Sequence, residues 1–343
     1  MSRWISFVVL LPLLASIAEV NAGTTKPSPP GYKYSATELA SPGVYYSRAT
    51  TTNGTLNNRL NDLTGGQGGG PDFSVSIPQQ TGVAAGNSGR TINLWSSLSW
   101  TGMQDTGVIT QFDGSSNSLF VGADTRLYKN FILGVSLGTS NTKTSSAFNG
   151  GGSETDTITI APYAAYIINN NYSISANVGY SDSGTTMDRF TGVTVTGSQD
   201  SDRVFAAVNF NASYWFNKWN LGWKAGYLYS RGDLDGFTES DGTVNASSKV
   251  KLDQLQVGAK VSYWSGSVMP YLFLDFEHDT TRTRVTPIAG FDKPANDRSG
   301  YNYGGGIRLF INKTTVGRVD LKKVGGRNDF DSTTFSANIG IRF

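Results

Sequence analysis

The chain has 343 residues, a formal net charge of +2, no cysteine, 41 glycines and 16% charged residues. Without cysteine there is no disulfide, thiol nucleophile or cysteine metal site, and so small a net charge offers nothing to attract nucleic acid. Mean hydropathy is negative and no apolar run beyond the amino terminus approaches the roughly 20 residues of a membrane helix, which excludes a helical membrane protein but not one built from strands.

In chain order, Met1 to Ala22 has a secretory layout: Arg3, an apolar core from Trp4 to Ala15, and small residues at Val20-Asn21-Ala22. The mature chain is expected to begin near Gly23. Residues 23–52 form a Pro-, Ser- and Thr-rich arm too poor in apolar residues to build a core. In segment 53–90, Leu56, Leu60 and Leu63 recur at helical spacing, with Asn53 as a candidate cap and Gly65-Gly66 as the stop. A Gly- and Pro-rich insertion follows to residue 90.

From Thr91 to Phe343, alternating segments of roughly ten residues recur, the length of a tilted transmembrane strand. About twelve are expected, near 91–100, 117–127, 131–141, 155–168, 171–181, 202–216, 219–230, 250–264, 267–279, 299–311, 314–323 and 333–343. Leu119, Val121 and Ala123, then Ile158, Ile160 and Pro162, then Val204, Ala206, Val208 and Phe210 share one face; Asp124, Arg126, Lys260, Asp275 and Glu277 take the other. Arg308 and Arg318 join that polar set.

The fold expected is all-β, a twelve-stranded antiparallel transmembrane barrel. A lumen of that size is narrow, and a helix roughly 10 to 12 Å across would plug it. Short connections such as Asn169-Asn170 and Asn217-Lys218 are assigned to the periplasm. The longer stretches, including 182–201, 231–249 and 280–298, are assigned to the outside. Tyr172, Tyr214, Trp219, Tyr227, Trp264, Tyr271 and Tyr303 are expected to form interfacial girdles. The last segment carries Phe335, Ala337, Ile339, Ile341 and Phe343 outward.

No catalytic, cofactor or metal site is expected. His278 is the only histidine. Asp275 and Glu277 share a face, but as lumen charges opposite Arg308, Arg318 and Lys322 rather than as a catalytic pair. The glycines at 65–70 and 304–306 lack the strand-to-helix setting of a phosphate loop, and Arg231-Gly232-Asp233 lies at the root of an expected external loop.

Leu56-Asn57-Asn58-Arg59-Leu60-Asn61-Asp62-Leu63, followed by Leu94-Trp95-Ser96-Ser97 and Trp100-Thr101-Gly102, resembles the linker helix and first strand of autotransporter translocator domains. Leu119 to Gly138 is similar to their second and third strands, and Ile339 to Phe343 to their barrel-assembly signal, here Phe335, Ile339, Ile341 and Phe343. The resemblance implies a bacterial outer-membrane barrel threaded by a helix bearing Leu56, Arg59, Leu60, Asp62 and Leu63. It also implies contact with outer-membrane lipid and lipopolysaccharide, insertion by the barrel-assembly machinery after escort by periplasmic chaperones, and a monomer without nucleic acid or cofactor.

Two features depart from that family. Only residues 23–52 are available as passenger, a minimal one, and 64–90 is a long insertion. Some members cut themselves at an Asn-Asn pair upstream in the helix. Here Asn57-Asn58 directly precedes Arg59, and lining asparagines are the preferred reading. A small porin-like pore and an adhesin acting through external loops are the alternative functions.

Overall fold

The computed structural model describes residues 36–64, 92–107, 109–128, 130–146, 150–190, 192–285, 294–312 and 314–343, with side chains from Pro42 onward. The expected signal peptide 1–22, residues 23–35 of the arm and the insertion 65–90 lie outside the described residues. Among the described residues one helix, α1 (Ala36–Thr64), precedes fourteen strands: β1 (Ile92–Asp105), β2 (Phe112–Tyr128), β3 (Phe131–Ser146), β4 (Gly152–Ile167), β5 (Tyr172–Phe190), β6 (Thr194–Phe216), β7 (Trp219–Leu234), β8 (Phe237–Thr238), β9 (Val244–Asn245), β10 (Ser248–Tyr263), β11 (Val268–Arg282), β12 (Ser299–Phe310), β13 (Thr315–Gly325) and β14 (Phe330–Arg342). Twelve of them close into an antiparallel barrel; β8 and β9 form a separate two-stranded hairpin.

Closure joins β1 to β14, with Leu94 opposite Ile341 and Trp100 opposite Phe335. The Phe343 amide donates to Ile92 O at 2.9 Å, extending the seam one residue beyond the ladder. In hydrocarbon every backbone donor needs a partner, and a closed sheet provides one without leaving an edge.

Alternation sets the two faces. Leu119, Val121, Ile158, Ile160, Val204, Val208, Leu272, Leu274 and Phe276 are all exposed outward as a continuous apolar belt. Lys143 and Glu154 meet at 3.0 Å on the outer face beyond that belt, toward the long connections. A Lys or Arg on the belt at mid-depth would cost about 2 to 4 kcal/mol, so this phase is strongly selected.

Tight turns gather at one end. Asn217 has φ 53° between Phe216 and Trp219, the left-handed conformation that short hairpin turns favour. At the other end the strands run further than their hydropathy predicts. The expected external loop 182–201 is instead a continuation of β5 and β6, paired from Asp182–Asp202 to Phe190–Thr194. Beyond the belt both faces are polar, so alternation of hydropathy disappears while the hydrogen-bonded ladder continues.

The helix also begins earlier than Asn53. Its buried row runs Tyr46, Ala49, Asn53, Leu56 and Leu60, at spacings of three and four. Thr and Asn interrupt that row without breaking the helix because the wall facing them offers hydroxyls and amides. At 29 residues and about 1.5 Å each the helix is roughly 44 Å long, more than the hydrocarbon thickness.

Candidate functional site

The lumen is the site, and α1 occupies it. On one side, Leu56 and Leu60 are wholly buried among Trp95, Phe120, Ile132, Ala161, Tyr163, Ala165, Ile167 and Phe205, with Leu63 packed alongside. These rings lie across glycines of neighbouring strands. A methyl group at Gly122 would come within 2.5 Å of Trp95 Nε1, and Gly134, Gly138 and Gly179 lie beneath Tyr163, Phe120 and Phe205 in the same manner. Glycine lets each ring lie flat, and together the rings make an apolar berth.

The helix charges meet the wall at the level of this berth and toward the short turns. Arg59 donates Nε and Nη2 to the two oxygens of Asp124 at 2.8 and 3.0 Å. Asn93 and Tyr163 complete the Asp124 shell at 2.7 and 2.9 Å. Asp62 accepts from Arg308 and from Arg318 Nη1, the latter at 3.2 Å, while Arg318 Nε also reaches Asp320 at 2.7 Å. Charge-assisted forks of this kind fix rotation as well as height.

Toward the long connections the contacts change in kind. Tyr46 donates its hydroxyl to Glu277, which Asn302 and Arg327 also contact at 2.9 and 3.3 Å. The Arg327 guanidinium lies 4.3 Å from the Tyr46 ring centroid and donates to Asp279 at 2.9 Å. Tyr45 shares a hydrogen bond with Ser230 at 2.7 Å. The β8–β9 hairpin is latched to the rim by Arg189, which donates to Glu239 and Asp241 at 2.9 Å each. The Thr243 backbone N–H holds Asp241 below the usual carboxylate range.

Of the charges expected in the lumen, Asp124, Glu277, Arg308 and Arg318 converge on the helix. Asp275 instead pairs with Lys224 of the wall at 2.7 Å, and Lys260 lies 5.6 Å from the Tyr271 ring centroid. Arg126 belongs to the same strand face as Asp124 and is exposed at the short-turn rim. Phe335, Ile339 and Ile341 occupy the outward row of β14 and Phe343 follows directly after it, the most exposed of the four at 72%.

Tyr271 leaves the expected girdle and faces the lumen, lining a cavity of about 180 Å³ between α1 and a wall that runs from β5 round through β14 to Ser99 of β1. Asn57 accepts from Asn209 at 2.9 Å, and the Asn58 carbonyl from Arg318 at 3.3 Å. Arg231 is held within β7 by Asp253, at 2.6 and 2.7 Å, so Arg231-Gly232-Asp233 is strand rather than loop. His278 bonds Ser299 at 2.9 Å. No group of His, Cys, Asp and Glu able to hold a metal exists among the described residues.

Tyr46, Arg48, Tyr163, Arg203 and Arg327 were not anticipated. Tyr163 and Arg203 lie on the inward parity of their strands, which was the available signal. Tyr46 and Arg48 lie in the expected arm, and Arg327 lies between the expected segments 314–323 and 333–343.

The autotransporter beta-domain family model matches residues 94–322. The translocator domain of autotransporter NalP from Neisseria meningitidis superimposes with a TM-score of 0.68 at 14% identity, covering 90% of this chain and 100% of that one. The beta domain of the Bordetella autotransporter BrkA gives 0.62 at 15% identity, with 74% and 100% covered. The transport unit of AIDA-I from Escherichia coli gives 0.54 at 14%, with 78% and 94% covered. At such identities these likenesses are of fold, and no curated protein sequence matches the chain. The matched sequence family and the threaded twelve-strand closure agree: this chain belongs to the autotransporter beta-domain family, as an outer-membrane barrel of type V secretion in bacteria.

Proposed function

We propose that the barrel holds the chain ahead of α1 at the cell surface, and does so without catalysis. The helix direction carries this reading. Gly43 approaches Phe112 and Phe330 at the long-connection ends of β2 and β14, whereas Arg59 and Asp62 engage strands beside the short turns. In outer-membrane barrels short turns face the periplasm, so a chain entering α1 comes from outside. Assembly would proceed through β14, with Phe335, Ile339, Ile341 and Phe343 presented to the barrel-assembly machinery and the finished belt facing lipid and lipopolysaccharide as a monomer. The bonds of Arg59 and Asp62 to the wall support the helix as a resident plug.

An epitope tag after Ala22, tested by protease treatment of intact cells, decides the matter. Loss of the tag with the barrel uncut is expected; a tag protected until the cells are lysed overturns the proposal. A channel reading has the cavity of about 180 Å³ in its favour. A long-lived open state of the full chain in planar bilayers would select it.

A further inference from the structure

Buried guanidinium groups elsewhere in the lumen have carboxylates beside them: Arg59 has Asp124, Arg318 has Asp320 and Arg327 has Asp279. Two do not. Arg203, on the lumen row of β6, is 6% exposed and donates to Ser181 Oγ at 3.0 Å and Thr52 Oγ1 at 3.3 Å. Arg48 reaches from the helix to Thr157 Oγ1 and, at 2.7 Å, to Ser183 Oγ. Ser181 and Ser183 are two apart on β5, so both guanidinium groups stand along one hydroxyl row within roughly 7 Å of strand.

Neither arginine makes an ion pair among the described residues, and Arg203 Nε and Nη1 are buried with no acceptor. Both line a cavity of about 60 Å³, with Ser183, Gln199 and Ser201 on its polar side and Val44, Leu234 and Val250 on its apolar side. Asp202 also borders it, but accepts from the Tyr180 hydroxyl, and both residues are exposed on the outer face. Two unpartnered buried donors of Arg203, beside a second cation at the same pocket, call for negative charge from elsewhere. We propose that this pocket binds a small inorganic oxyanion of the phosphate or sulfate class, joining α1 to β5 and β6. Guanidinium donors and hydroxyls match the several acceptor oxygens of such an ion. The inference is independent of whether the segment ahead of the helix is displayed.

The test uses the full chain folded in detergent free of lipopolysaccharide, with unfolding followed by heat-modifiable gel mobility. Inorganic phosphate is titrated against chloride at constant ionic strength. A saturable rise of several degrees with phosphate, absent with chloride and absent in Arg203→Gln, is expected. No saturable effect, an equal effect of chloride, an unchanged effect in Arg203→Gln, or an effect only after lipopolysaccharide is added would overturn the assignment. Should Arg203→Gln fail to fold, calorimetric titration of the wild-type chain with phosphate decides: saturation near one ion per chain supports the site, and no saturable heat refutes it.

Discussion

The two ends of the lumen hold the same helix by different physics. Beside the short turns, ions on α1 bond ions on the wall, as Arg59 with Asp124 and Asp62 with Arg318. Beside the long connections, the paired ions belong to the wall alone, as Glu277 and Asp279 with Arg327, and α1 contributes tyrosine hydroxyls and one arginine bonded to hydroxyls. The first arrangement clamps, because removing one partner strands a charge. The second guides, since Tyr45 and Ser230 bond as two neutral groups, and Tyr46 with Glu277 and Arg48 with Ser183 have an ion on one side only.

The sharpest way to break this contrast is Asp124→Ala, which strips Arg59 of its carboxylate and leaves Asn93 and Tyr163 without their acceptor. A loss of about 3 to 5 kcal/mol is expected, read as a lower heat-modifiability midpoint together with longer openings in planar bilayers. If neither changes, the clamp does not exist. Leu60→Ala removes the centre of the apolar berth and should cost about 2 kcal/mol, the low end for a buried leucine because the helix can settle into part of the gap. Its midpoint should fall between those of Asp124→Ala and wild type; a midpoint equal to wild type would show that the berth contributes nothing. Tyr45→Phe is expected to cost about 1 kcal/mol or less. Hydrogen exchange should then quicken at residues 44–48 while 56–62 stay protected. Uniform exchange along α1 would dissolve the distinction between the ends.

The belt was legible because lipid tolerates so few exceptions. One charge in the row of Ile158, Ile160 and Tyr166, or in that of Val204 and Val208, is costly enough to fix the phase of the whole strand. The membrane imposes no such rule on Thr185, Thr196 or Gln199, where polar residues on both faces hide the strand. Polarity likewise concealed the first half of α1, whose Thr50 bonds back to the Tyr46 carbonyl at 3.0 Å, although Tyr46 and Ala49 pack with Met103, Phe112, Leu228, Leu252 and Phe330 of the wall. At the site, parity assigned Asp124, Glu277, Arg308 and Arg318 to the inside. Parity gives a face and not a partner. That Arg59 finds Asp124 while Asp62 finds Arg318 depends on how the helix is rotated and how deep it sits, and both follow from the whole circumference at once. Arg327 was hidden for another reason: a long side chain from a connecting turn can reach inward where no strand periodicity applies.

The rings of Trp95, Phe120, Tyr163 and Phe205 all stand on the arc from β1 to β6, whereas the 180 Å³ cavity starts at Ser173 and Asn211 of β5 and β6 and extends along β7 and β10 to β14. The helix is therefore off-centre, pressed against an oily bank with a wet strip left on the far shore. Any ion or small solute slipping past the seated helix would travel in a single lane, bordered by Lys224, Lys260 and Lys322, instead of through a ring around it.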